Sequence, residues 1–198
     1  MNGWKHFLND WEAEVVGLVR GVSSYLRSPM EAVVAARGSL RVADPFSDEG
    51  DLAGQLGVSK DSSLLAFYRE VNGWIQLGFD VEETVVLPAK DLYRLVDGDL
   101  ELCQQIAETH PEINESEYET LSERRYVRPS ALDLTYSLSA RYSSGHYLFI
   151  PDRRGEGLYF IDRPSAPPSC FGSFEKLMQS ERCRCVENLR GDLQDRSS

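Results

Sequence analysis

Three histidines, His6, His110 and His146, limit the acid–base chemistry this sequence can attempt. A general base needs a partner within hydrogen-bond reach in the fold. His146 opens a predicted strand and could approach Asp152 or Asp162, so these three residues form the one enzymatic arrangement the sequence suggests. His110 precedes Pro111 at a helix end, where a cation meets the negative end of the helix dipole. His6 lies on the polar side of an amphipathic helix. No nucleophile elbow accompanies them, and the expectation is a protein without a catalytic site.

The four cysteines are Cys103, Cys170, Cys183 and Cys185. A structural zinc site usually shows pairs spaced by two to four residues. Cys183 and Cys185 are one residue apart, with Cys170 well upstream, so free thiols are expected and no metal. The N-terminus does not read as an export signal and the chain is large enough to fold without disulfides, so the expected compartment is the reducing cytoplasm. Gly155 and Gly157 lack the following helix that a phosphate cradle needs, so they read as turn residues and no cofactor is expected. Arg124, Arg125 and Arg128, like Arg153 and Arg154, are small basic islands suited to salt bridges.

The charge pattern speaks for recognition instead. From Asp97 to Glu123 there are nine carboxylates and no Lys or Arg. Six of them, Asp97, Asp99, Glu112, Glu115, Glu117 and Glu119, are the candidate partner-binding residues. Either they form a solvated helical face or loop, or they form a surface for a basic partner. The whole chain carries 21 Lys plus Arg against 32 Asp plus Glu, a formal net charge of -11. Such a surface repels phosphate backbones and anionic lipid, which argues against nucleic acid and membrane as partners. No apolar run approaches the roughly 18–20 residues that cross a bilayer.

The elements that must position these residues follow from periodicity. Trp4, Phe7, Leu8, Trp11, Val15, Leu18, Val19, Val22 and Leu26 form one apolar helical stripe, which must pack on its own domain or on a partner. Ser28-Pro29 opens a short helix to Arg37, and residues 39–47 read as a linker. Ser47 starts a helix to Leu56, capped by Gly57, and a second helix covers Ser62 to Val71. Asn72-Gly73 ends it, because both residues tolerate the left-handed backbone of a helix terminus; that reading is preferred over a binding role for Asn72.

Trp74–Phe79 and Thr84–Leu87 read as strands around the acidic turn 80–83, and Pro88 as the start of a helix carrying Leu92 and Leu95. A helix follows over Leu100–Thr109. Leu132, Leu134, Tyr136 and Leu138 alternate with polar residues as in a half-buried strand. Tyr147–Ile150 and Leu158–Ile161 read as a hairpin. After the Pro-rich stretch 164–168, a final helix starts near Ser173, with Phe174, Leu177, Met178, Val186 and Leu189 inward and a polar tail beyond Gly191. Helices, then mostly antiparallel strands, then a closing helix suggest the α+β class. The expected division is a helical extension over 1–45, an α+β domain over 46–190 and a tail over 191–198.

The run Leu56-Gly57-Val58 followed by Ser62-Ser63-Leu64-Leu65-Ala66-Phe67-Tyr68-Arg69-Glu70-Val71-Asn72-Gly73-Trp74 resembles the opening signature of the SUKH superfamily. Val86-Leu87-Pro88, the hairpin 147–161 and the Ser173-Phe174-Glu175 helix start are similar to its later elements, over roughly residues 48–180. Ser59-Lys60-Asp61 stands where the family usually has a Leu-Pro pair, and the stretch from Asp97 to Gly145 is longer than the family pattern. The resemblance implies a curved, mostly antiparallel sheet flanked by helices. It also implies a protein-binding role, commonly that of a bacterial immunity protein that neutralises a toxin, and in other members that of a regulatory adaptor. On the first reading the acidic segment would mimic phosphate and plug a basic toxin cleft, such as that of a nuclease. On the second, helix 4–26 would be the docking element. A monomer or a homodimer through helix 4–26 suits either.

Overall fold

The computed structural model describes residues 3–20, 49–75, 85–109, 129–139, 146–151, 157–163 and 166–195. The helix expected over 29–37, the linker 39–47 and the turn 80–83 lie outside the described residues, as does the hairpin tip 152–156.

Helix α1 spans Trp4–Arg20. Over the described residues its stripe is buried by its own chain: Trp4, Phe7, Leu8, Trp11 and Val15 belong to the main core, while Val22 and Leu26 of the expected helix 4–26 lie outside the described residues. Trp4 packs edge-on against Phe67 at 5.4 Å, and Trp11 sits 4.7 Å from Trp74. Arg182 and Arg190 both pair with Glu14, at 3.0 and 3.3 Å, and fasten α1 to the last helix.

Helix α2 covers Glu49–Leu56, with Gly57 beyond it in the left-handed region. Helix α3 covers Ser63–Glu70, and the Ser62 hydroxyl caps it by accepting from the Leu65 N–H. Asn72 at φ 46 and Gly73 at φ 113 then turn the chain, as their residue types suggest.

Strands β1 (Trp74–Ile75) and β2 (Val85–Val86) pair antiparallel. The helix expected from Pro88 is broken into three pieces. A 3₁₀ turn covers Ala89–Asp91, strand β3 covers Tyr93–Arg94, and the single turn α4 covers Leu95–Gly98. Tertiary pairing overrides the local pattern here: Tyr93 and Arg94 lie opposite Ser137 and Tyr136 in the sheet, and the Leu95 N–H donates to the Thr135 carbonyl at 2.8 Å. Helix α5 covers Leu100–Thr109.

The strand expected over residues 132–138 is also shortened. Pro129–Leu134 winds as a 3₁₀ helix, and only Tyr136–Ser137 remain as β4. Leu132 still points inward, but Leu134 faces solvent. Strands β5 (His146–Ile150) and β6 (Leu158–Arg163) form the expected hairpin. The Pro-rich stretch is itself a strand, β7, over Ala166–Phe171. It lies at the sheet edge, where Pro167 and Pro168 are tolerated because an edge residue need not donate to a neighbour. Helix α6 runs over Phe174–Asp195, past Gly191, so the polar tail begins later than composition suggests.

The fold is therefore α+β. Its main sheet is open and antiparallel, in the order β3-β4-β5-β6-β7. Alternation along the strands gives it two buried faces. Tyr136, Tyr147, Phe149 and Tyr159 face the main core with α1, α3 and α6. Leu148 and Ile150 face a second, smaller core with Leu95, Leu102, Cys103 and Leu132 from α4, α5 and the 3₁₀ helix. No helix among the described residues is long and apolar enough to cross a membrane.

Candidate partner-binding site

The acidic segment begins on the layer that covers the second core. Asp97 is exposed on α4. Asp99 caps α5: its Oδ1 accepts from the Leu102 N–H and its backbone carbonyl from the Cys103 N–H, both at 3.1 Å. An aspartate at a helix N-terminus satisfies donors that the helix leaves free, so part of the work of Asp99 is structural. Glu112, Glu115, Glu117 and Glu119 lie outside the described residues.

The fold adds one carboxylate to this region that linear reading misses. The charge of Asp133, exposed on the 3₁₀ helix, acts on both Arg94 and Cys103. Burial pushes the Cys103 thiol up, and the charges of Asp99 and Asp133 push it further. Arg94 is held above its ordinary value by its hydrogen bond and charge interaction with Tyr136, then by Asp97 and Asp133. Its guanidinium lies 5.9 Å from the centre of the Tyr136 ring. Leu100 and Leu134 stand on the same layer, 67% and 54% exposed, and are the exposed large hydrophobics of the described residues.

The comparisons with known proteins name no relative. The chain matches no family model. No curated protein and no solved structure matches it either.

Of the candidate enzymatic residues, His146 and Asp162 are brought together as register partners across β5 and β6. Asp152 lies outside the described residues. The His146 Nδ1 is buried and has no hydrogen-bond partner among the described residues. The cysteines are free thiols: Cys103 is buried in the second core, Cys170 packs against that core from β7, and Cys183 and Cys185 sit on α6. Among the described residues no three His, Cys, Asp or Glu side chains gather to hold a metal ion. Arg124, Arg125, Arg128, Arg153 and Arg154 lie outside the described residues.

Asn72 and Glu181 are structural. The Asn72 Oδ1 accepts from the Ala89 N–H at 2.9 Å, so the cap residue also anchors the 3₁₀ turn after Pro88. Glu181 is 1% exposed and accepts from the Tyr147 hydroxyl at 2.8 Å, with Arg184 on both of its oxygens. Burial by itself would lower the Arg184 guanidinium, and the hydrogen bond and charge of Glu181 more than offset it. Glu181 falls on the inward stripe of α6, where a lone charge would be costly; the sheet supplies its partner.

The α4–α5 layer presents exposed Asp97 and Glu101 and exposed Leu100, and no Lys or Arg occurs between Leu95 and Thr109.

Proposed function

We propose that this protein is a non-catalytic, SUKH-like binding domain that acts as an immunity protein, occluding the basic cleft of a toxin, of which a nuclease is the leading example. The observation that carries this reading is which surface is left for a partner. The apolar stripe of α1 is consumed by the protein's own core. The α4–α5 layer keeps Asp97 and Glu101 exposed, and Asp133 is exposed on the neighbouring 3₁₀ helix. This favours the acidic layer over α1 as the docking element, and an inhibitor over an adaptor working through α1. A basic cleft built to hold nucleic acid is attracted to such a surface, and electrostatic steering makes the encounter fast at low salt. The order of elements and the Leu56–Trp74 run support the SUKH likeness. The reading places the protein in the cytoplasm, without cofactor or metal, as a monomer or homodimer.

Affinity capture of the tagged protein from its native cells, at low and high salt, tests it. One stoichiometric basic partner, held at low salt and released at high salt, is the expected result. A spread of substoichiometric partners would replace the inhibitor with an adaptor. Loss of a measurable activity on His146→Ala, with the fold kept, would replace both with an enzyme.

A further inference from the structure

Strand β7 ends the main sheet in the order β3-β4-β5-β6-β7, so one side of its backbone meets no neighbouring strand among the described residues. An edge of that kind presents unpaired N–H and C=O groups, which template the addition of another chain. The strand at the other end, β3, is two residues long and offers little template. Strand β7 covers six residues, Ala166–Phe171, and none of them is charged. Charged side chains are a common guard of an edge strand, and β7 lacks that guard.

The register shows a different one. Tyr159, Phe160 and Ile161 of β6 lie opposite Phe171, Cys170 and Ser169, and Arg163 lies opposite Ala166. Between Ile161 and Arg163 stands one residue, Asp162, whereas between Ala166 and Ser169 stand two, Pro167 and Pro168. Two residues opposite one make a bulge on β7, and both residues of this bulge are prolines. A bulge bends its strand and sharpens the local twist. Proline has no N–H to give to an incoming carbonyl, and its ring holds φ near −65°, away from the values of a regular antiparallel strand. The uninterrupted part of the edge is then Ser169–Phe171, about half the usual strand length.

We propose that the Pro167-Pro168 bulge closes the β7 edge to strand addition by a second copy of this chain. The bulge leaves β6 and β7 paired on either side of it and makes the outer side of β7 a poor match for a straight strand. The proposal concerns self-association and stands apart from the immunity reading. It excludes β7 as the interface of any homodimer.

The test compares the full-length wild type with two variants. In the first, Pro167→Thr with Pro168→Thr restores both N–H groups and keeps the extra residue. In the second, Pro167 is deleted and Pro168→Thr is introduced, so that one residue stands opposite Asp162 and β7 pairs in a single register. Sedimentation velocity over a range of concentrations measures association. Hydrogen exchange read by mass spectrometry at the same concentrations shows whether residues 166–171 take part. In the wild type, exchange of that strand should not change with concentration. In the second variant, association should strengthen by about tenfold or more, with slowed exchange of the strand at high concentration. The first variant should fall between the two. Near-UV circular dichroism checks the fold, and the first variant carries the comparison if the deletion disturbs it. Folded variants that associate no more than the wild type overturn the proposal, as does association that leaves exchange of residues 166–171 unchanged. Concentration-dependent protection of that strand in the wild type overturns it whatever the variants do.

Discussion

Asn72 joins two structural jobs that are usually separate. Its φ of 46 is one that most side chains resist, and its Oδ1 holds the Ala89 N–H. Asn72→Gly keeps the backbone conformation and loses only the hydrogen bond, at about 1 kcal/mol. Asn72→Ala loses the bond and adds the left-handed penalty, for a total of about 2 kcal/mol. Urea denaturation of the two variants should reproduce that order, and equal midpoints would refute the double role. Tyr68 gives a pH-dependent counterpart. Its hydroxyl donates to the Leu87 carbonyl, and burial pushes its ionisation well above the ordinary range. Above about pH 10 the unfolded chain releases this proton while the folded chain keeps it, so stability falls as pH rises. Tyr68→Phe should cost about 1 kcal/mol at neutral pH through the lost bond. It is spared the alkaline loss of about 1.4 kcal/mol per pH unit, so the two proteins should converge near pH 11. Parallel stability curves across that range would count against the assignment.

Helix α1 and strand β7 show opposite relations between pattern and packing. The α1 stripe is read directly, because a 3.6-residue period survives whichever surface buries it. Its partner is not, since Phe67, Trp74 and Phe174 come from other parts of the chain. Removing residues 1–20 should therefore unfold the protein, where a detachable arm would leave a folded domain; near-UV circular dichroism distinguishes the two. The milder Trp11→Ala should cost about 3–5 kcal/mol, a large share of the total stability of an ordinary domain. Strand β7 has no such legibility. Pro167 and Pro168 signal a break, and only a place at the edge, beside β6 and followed by no further strand in the order, lets them be extended. The 3₁₀ helix Pro129–Leu134 misleads in the other direction, since its leucines fall on a period of two that continues into Tyr136 and Leu138. The exposure of Leu134 marks where that period stops describing the backbone.

On the proposed binding reading, the net charge of -11 would set how a partner approaches more than how tightly it is held. Neutralising Glu112, Glu115, Glu117 and Glu119 together should slow association and flatten its salt dependence, with a smaller effect on dissociation. Stopped-flow mixing with the captured partner measures both rates, and an unchanged association rate would exclude this segment as the steering surface.

Local chemistry was enough to place what depends on near neighbours. The α1 and α6 stripes, the Ser62 cap, the Asn72-Gly73 turn and the β5–β6 hairpin rest on propensities and periods spanning a few residues, and the α+β class follows from their order. The charge balance was likewise a property of composition. What depended on long-range packing could not be read in the same way. The division of Leu95–Leu102 between a capped helix start and a second core, the action of Asp133 on Cys103 across a long stretch of chain, and the Tyr147 hydroxyl that donates to Glu181 all require the sheet first to bring distant segments together. Each is a pairing between elements, and the free energy of such a pairing appears in neither partner's own sequence.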